Sequence, residues 1–238
     1  MTTMSARERM LGRLRAATPT SGATLAADTA SLDRRIDTHF DLRRGQRPTV
    51  AAMVASMQAA LTASHAEVVC ADAADWPMWV AERLAQDGVR RLLIDTSAPE
   101  GAALARALPA GVATVTFDRP LEDWKSELFD TVDAGFTVAR SGLAATGTLV
   151  LAPDAGSPRT VSLVPPTHIA LVYASALHPD LHAAVRAENW ADGMPTNLVM
   201  ISGPSKTSDI QQTLAYGAHG PRRLWVVIVN DHAGDPGQ

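Results

Sequence analysis

From residue 66 onward, short apolar runs alternate with amphipathic stretches, and this alternation restricts the fold more than any other feature of the chain. The runs at 66–71, 91–95, 112–117, 134–139, 147–151, 168–173, 197–202 and 224–229 are too short for helices and bounded by turn residues, so each reads as a strand. Helical periodicity falls between them near 76–87, 99–107, 120–127, 179–189 and 208–216. Strands alternating with helices predict an α/β fold whose mostly parallel sheet is covered on both faces. Between 134 and 173 three strands follow one another without a helix, which predicts an antiparallel or bulged portion there.

The first quarter has a different texture. Residues 4–17 set Met4, Met10, Leu11 and Leu14 on one broad stripe, with Ser5 and Glu8 at capping-box spacing, which predicts a helix. Residues 18–30 are small and polar with Pro19 and Gly22 and read as a loop; two further helices are expected near 31–43 and 50–63. The expected organisation is a helical arm over 1–63 followed by an α/β domain over 64–238. Residues 1–50 carry a net charge of +4 and residues 51–238 a net charge of −8. Either a basic arm lies on an acidic body, its own or a partner's, or the arginines coat a solvated helix pair.

A chain with 46% hydrophobic and 19% charged residues folds, which excludes a disordered or fibrous protein. Its net charge of −4 argues against nucleic acid as a bulk electrostatic partner. Cys70 is the single cysteine, so neither an internal disulfide nor a self-held iron–sulfur cluster is expected. There is no apolar stretch behind the N-terminal arginines and no run long enough for a bilayer, so the expectation is a cytoplasmic protein without membrane insertion.

Common catalytic signatures are absent, including the nucleophile elbow, the phosphate loop, the dinucleotide fingerprint, paired-histidine zinc helices and C-x-x-C. His178 and His182 are four apart, but Pro179 and Asp180 place His178 ahead of the helix, so no metal site is expected.

The most informative segment is SGPSKTSDIQQTLAYGAHGPRR, residues 202–223. It follows a strand, opens on Ser202 and Gly203, and supplies Ser205, Lys206, Thr207 and Asp209. Ser208 and Gln211 stand at capping-box spacing, which predicts a helix whose free N–H groups lie at the carboxyl end of a strand. Hydroxyls, a positive helix end and one of only two lysines favour a carboxylate or phosphate, unless the hydroxyls merely cap the helix and Lys206 faces water. His219 and Arg222 sit on a second glycine-rich turn. In RSGLAATGTLVL, residues 140–151, Thr146 and Thr148 flank Gly147, fitting either close approach to a ligand or a plain turn. His168 opens a strand after Pro165-Pro166, a place where a histidine is ordinarily a satisfied core residue.

Taken together, GLAATGTLVL, SLVPPTHIALV and SGPSKTSDIQQTLAYGAHGPR resemble the lactate-utilisation protein C family, also called the LUD domain. The resemblance is specific over residues 131–231 and looser before them. It implies a three-layer α/β/α fold similar to ribose-5-phosphate isomerases and CoA transferases, and a part in oxidising L-lactate to pyruvate beside iron–sulfur partner proteins. With one cysteine this chain would hold no such cofactor itself. The family pattern carries an acidic residue before the Thr-Gly pair, where this chain has Ala145. The ligand-binding candidates carried over are Thr146, Gly147, Thr148, His168, Ser202, Gly203, Ser205, Lys206, Thr207, Asp209, His219 and Arg222. No catalytic residue is implied.

The leading expectation is therefore a non-redox component of a lactate-oxidising assembly that binds a small carboxylate or other anion. The alternatives are an assembly or regulatory subunit docking an iron–sulfur partner through the basic arm, and a free-standing isomerase- or transferase-like enzyme of the same fold.

Overall fold

A computed structural model of the chain describes residues 6–17, 22–208 and 214–231. Two compact units divide it, Met1–Arg47 and Pro48–Gln238. The first contains helices α1 (Ala6–Ala17) and α2 (Gly22–Arg44). Residues 22–30, expected as loop, are the opening turns of α2: their alanines favour helix strongly enough to override the polar composition.

The unit boundary lies at Arg47/Pro48 and not at residue 63, because α3 (Val50–Ala63) belongs to the α/β core. Thr49 caps α3, its Oγ1 accepting the Ala52 N–H at 3.2 Å. Met53, Met57 and Leu61 recur every fourth residue on one stripe of α3, and all three are buried.

The central sheet has six strands in the order β1-β12-β7-β4-β2-β3, all parallel: β1 (Glu67–Asp72), β2 (Arg91–Leu93), β3 (Ala113–Val115), β4 (Ala134–Val138), β7 (Thr167–Tyr173) and β12 (Arg223–Asn230). Side chains alternate between its faces. Phe136, Ile169, Leu171, Trp225 and Val227 pack against α4 (Trp76–Gln86) and α5 (Pro99–Ala107). Ala170, Val172, Val226 and Ile228 face α3 on the other side. Further along that side, Leu93 packs with Trp124 and Leu128 of α6 (Leu121–Thr131) and with Val161 of α7 (Thr160–Leu163). The fold is thus mixed α/β with a parallel central sheet covered on both faces.

The irregular portion expected between 134 and 173 is a second sheet in the order β8-β5-β6-β9, formed by β5 (Ser141–Leu143), β6 (Thr148–Leu151), β8 (Leu177–His178) and β9 (Val199–Ile201). β6 runs antiparallel to both β5 and β9. The run at 197–202 therefore pairs outside the central sheet. Asp180 caps α8 (Leu181–Ala187), its Oδ1 accepting from the Ala183 N–H at 2.8 Å, so His178 precedes the helix as expected.

The helix expected over 208–216 is replaced at both ends by strand. β10 (Lys206–Ser208) pairs antiparallel with β11 (Leu214–Tyr216), and Gly217 N–H closes the ribbon on the Ser205 carbonyl at 2.9 Å. Residues 209–213 lie outside the described residues.

Gly135 of β4 shows how closely the covering elements approach the sheet: a Cβ there would stand 2.1 Å from the Val161 carbonyl oxygen. Gly135→Ala is expected to push α7 off β4 and destabilise the fold by about 1–3 kcal/mol. A lowered urea midpoint relative to the wild type checks it.

Candidate functional site

Two cavities flank the Thr137–His168 pair. One lies over the amino-terminal half of β7 and β12, with a volume of about 210 Å³. Five of the sequence candidates line it: His168, Ser202, Gly203, Ser205 and His219. Ser202–Ser205 follow β9, and this loop can pass the end of α3 because Gly203 (φ +154) has no side chain. A Cβ there would meet the Ser64 carbonyl oxygen at 2.9 Å. Ser205 is fixed by its N–H to the Pro221 carbonyl at 2.8 Å, which brings the 219–221 turn alongside.

Three more candidates, Thr146, Gly147 and Thr148, support this wall from behind. Thr148 of β6 shares a hydrogen bond with Ser202 at 2.8 Å and another with Thr146 at 2.7 Å, so three hydroxyls form a chain from the β5–β6 turn to the loop after β9. Gly147, at φ +58, lets that turn rest on α3, where a Cβ would be 2.8 Å from the Leu61 nitrogen.

His168 is 1% exposed. Its Nε2 shares a hydrogen bond with Thr137 Oγ1 at 2.8 Å, and its Nδ1 is buried without a protein partner among the described residues. Burial pushes the imidazole down to about 3, so it is neutral at physiological pH.

The remaining candidates are placed elsewhere or not described. Lys206 is exposed on β10 and Thr207 is its neighbour on the ribbon; neither lines the cavity. Arg222 borders a shallow recess beside Asp133 and Thr167 at the amino-terminal end of the sheet. Asp209 lies outside the described residues. The ammonium and helix-end dipole expected to meet at this spot are thus replaced by hydroxyls and imidazoles. The site also lies away from the carboxyl edge of the central sheet, because β9 is not one of its strands.

The carboxyl edge has its own crevice, of about 120 Å³, which sequence reasoning missed. The chain leaves β2 toward α5 on one face of the sheet and leaves β4 toward the second sheet on the other, so adjacent strands diverge there as open α/β sheets require for a crevice. Asp95, Glu100, Thr137, Asp154 and Arg159 border it. Its carboxylates already hold local donors. Asp95 Oδ1 accepts from the Ser97 hydroxyl at 2.6 Å and N–H at 2.9 Å, and the Ser97 hydroxyl is the main cause holding its carboxyl below the usual range. Asp154 accepts from Ser157 N–H at 2.7 Å and Glu100 from Tyr173 OH at 2.8 Å. Burial, with Glu100 second, pushes the Tyr173 phenol up to about 12. The available signal was Asp95-Thr96-Ser97 closing a strand ahead of Pro99. No cluster of three or more metal-ligating side chains occurs among the described residues.

A family model of the LUD domain matches residues 54–229. A protein of uncharacterised function from Neisseria meningitidis serogroup B is 41% identical over 177 residues, covering 73% of this chain and 76% of that one. Lactate utilization protein C of Macrococcus caseolyticus is 35% identical over 109 residues, 44% of this chain and 47% of its own. The Bacillus subtilis protein of the same name is 35% identical over 106 residues, 43% and 44% respectively, so the match spans about half the length of these relatives. Among solved structures, a DUF162 family protein from Deinococcus radiodurans superposes with a TM-score of 0.59 at 25% identity, covering 77% of this chain and 99% of that one.

The buried histidine sets a pH dependence. The unfolded chain protonates His168 near pH 6.5, whereas the folded chain holds it neutral to about pH 3, so stability falls as pH drops through that window. His168 contributes a slope of up to about 1.4 kcal/mol per pH unit. His168→Gln removes it, and denaturant midpoints of the two proteins are expected to converge between pH 7 and pH 4.

Proposed function

The chain belongs to the LUD domain family, and from this premise we propose that it serves lactate utilisation as a non-redox component of an L-lactate-oxidising system, binding a small anionic ligand beside iron–sulfur partner proteins. The relatives called lactate utilization protein C support the metabolic role. The observation that carries the ligand reading is a cavity lined by His168, Ser202, Ser205 and His219, with the Nδ1 of His168 buried and without a protein partner among the described residues. A buried polar atom with no protein partner is satisfied by a guest or by water. The single Cys70 cannot by itself supply the thiolates of a cluster, which supports clusters carried by partners.

Calorimetric titration with L-lactate tests this. Each hydrogen bond contributes about 0.5–1.5 kcal/mol, so Ser202→Ala with Ser205→Ala is expected to weaken binding at least about fivefold. Lys206→Ala, altering a group outside the cavity, is expected to bind within about twofold of wild type. A loss confined to Lys206→Ala would relocate the ligand to the β10–β11 ribbon.

A second reading, an assembly subunit, draws on the first unit. Its helices expose Met10 (68%), Leu14 (61%) and Leu42 (80%) among arginines, a surface suited to an acidic partner. Removing residues 1–47 is expected to abolish co-purification with an iron–sulfur partner while leaving the circular dichroism of the α/β unit intact; undiminished co-purification rejects this reading.

A further inference from the structure

We propose that the chain forms a two-fold dimer by exchanging arms, with helix α1 of each copy docking on the exposed side of α6 of the other. This interface is independent of the cavity over β7 and β12. It gives the basic arm a second copy of the chain as its occupant, in place of the acidic partner of the second reading.

Helix α1 needs a surface to lie on. With 12 residues it sits at the length where an isolated helix is marginal in water, and Gly12 in its middle costs about 1 kcal/mol relative to alanine. A helix this short persists by burying one face against another element. Residues 7–16 are nevertheless all exposed, with Met10 at 68%, Leu11 at 37% and Leu14 at 61%. Four arginines against Glu8 give α1 a net charge of +3. Arg7, Arg13 and Arg15 form no ion pair among the described residues.

Helix α6 presents the complement. Trp124 and Leu128 anchor its inner side, which leaves Glu122, Asp123, Ser126, Phe129 and Asp130 exposed, Phe129 at 56%. Four acids against Lys125 give α6 a net charge of −3. Glu127 is held by Arg91 and Arg119, but Glu122, Asp123 and Asp130 form no ion pair among the described residues. An exposed phenylalanine among three unpaired carboxylates thus answers an exposed methionine and leucine among three unpaired guanidiniums. Guanidinium forks pair with carboxylates two-pronged and shed water more readily than ammonium groups, which suits them to a docked interface. The lengths also match, about 18 Å for α1 and about 17 Å for α6. Both halves of the match lie on the same chain, so two copies satisfy each other through two equivalent contacts and a two-fold axis closes the assembly. The net charge of −8 over residues 51–238 steers the arm of one copy toward the other.

Sedimentation equilibrium of the full chain tests the interface. The wild type is expected to dimerise, with an affinity that weakens at least about tenfold between about 0.1 M and about 1 M salt, as the screening length falls from about 10 Å to about 3 Å. Arg7→Glu with Arg13→Glu in the arm, and in a separate chain Glu122→Lys with Asp130→Lys in α6, are each expected to weaken self-association at least about tenfold. An equimolar mixture of these two variants is expected to recover the wild-type affinity as a heterodimer, because the reversed arm meets the reversed α6 and the other contact keeps its original charges. Recovery on mixing also shows that both variants fold. A wild type that stays monomeric at low salt overturns the dimer, and capture of an acidic protein by that monomer returns the arm to the second reading. A dimer indifferent to either reversal overturns the α1–α6 interface. Variants with the wild-type circular dichroism whose mixture stays monomeric overturn the exchange of arms between copies.

Discussion

A parallel sheet sealed on both faces tolerates a polar side chain only beside a partner, and the Thr137–His168 hydrogen bond is where this chain meets that constraint. Thr167–Val172 of β7 and Leu224–Val229 of β12 are buried without a break. Gly135 pairs with His168 across β4 and β7, and Thr137 lies two residues further on the same face. That geometry puts hydroxyl and imidazole within 2.8 Å. Either group alone would remain desolvated and unsatisfied, at a cost of about 1–3 kcal/mol. The same desolvation keeps the ring neutral and fixes it as a hydrogen-bonding group instead of a charge. The two cavities differ in character for this reason: one faces a neutral imidazole, the other a rim of carboxylates and Arg159.

The wall around His168 depends on how closely α3 meets the second sheet. At Gly142 a Cβ would stand 2.6 Å from Leu177 Cδ2 and 2.9 Å from Met57 Sδ, and Gly147 touches the backbone of the same helix. Met57 and Leu61 therefore work on two sides, filling the space above the central sheet and supporting the β5–β6 turn. The hydroxyl chain from Thr146 through Thr148 to Ser202 carries that support across β6 to the loop after β9. The cavity is thus assembled from three strand ends and one helix, none adjacent to all the others in sequence.

This distribution decides what could be read from the residues alone. Strands such as 168–173 and 224–229 announce themselves because burial on both faces demands unbroken apolar runs. His168, Ser202, Gly203, Ser205 and His219, named from two separate blocks, line one cavity. The position of that cavity was not legible. The Ser208–Gln211 spacing fits a helix cap, but spacing cannot report that β10 pairs antiparallel with β11. Nor can it report that β9 pairs with β6, which removes the 197–202 run from the central sheet and carries its following loop away from the carboxyl edge. The crevice at that edge stayed hidden because its border joins Asp95 to Arg159 through strand order, a property of topology and not of any local pattern.

The departure at Ala145 acquires a definite meaning in this geometry. Its N–H donates to the Pro179 carbonyl at 3.0 Å, a bond any side chain at this position permits, and the residue itself is exposed on the β5–β6 turn. Ala145 does not line the cavity of His168 or the crevice of Asp95. An acidic residue there would bring a negative charge next to Thr146, at the outer end of the hydroxyl chain, and into water. Its replacement by alanine therefore leaves the walls of both cavities unchanged and alters only the charge at the turn. The polar side chains Ser162, His168, Ser202, Ser205 and His219 line that cavity whether or not residue 145 carries a carboxylate.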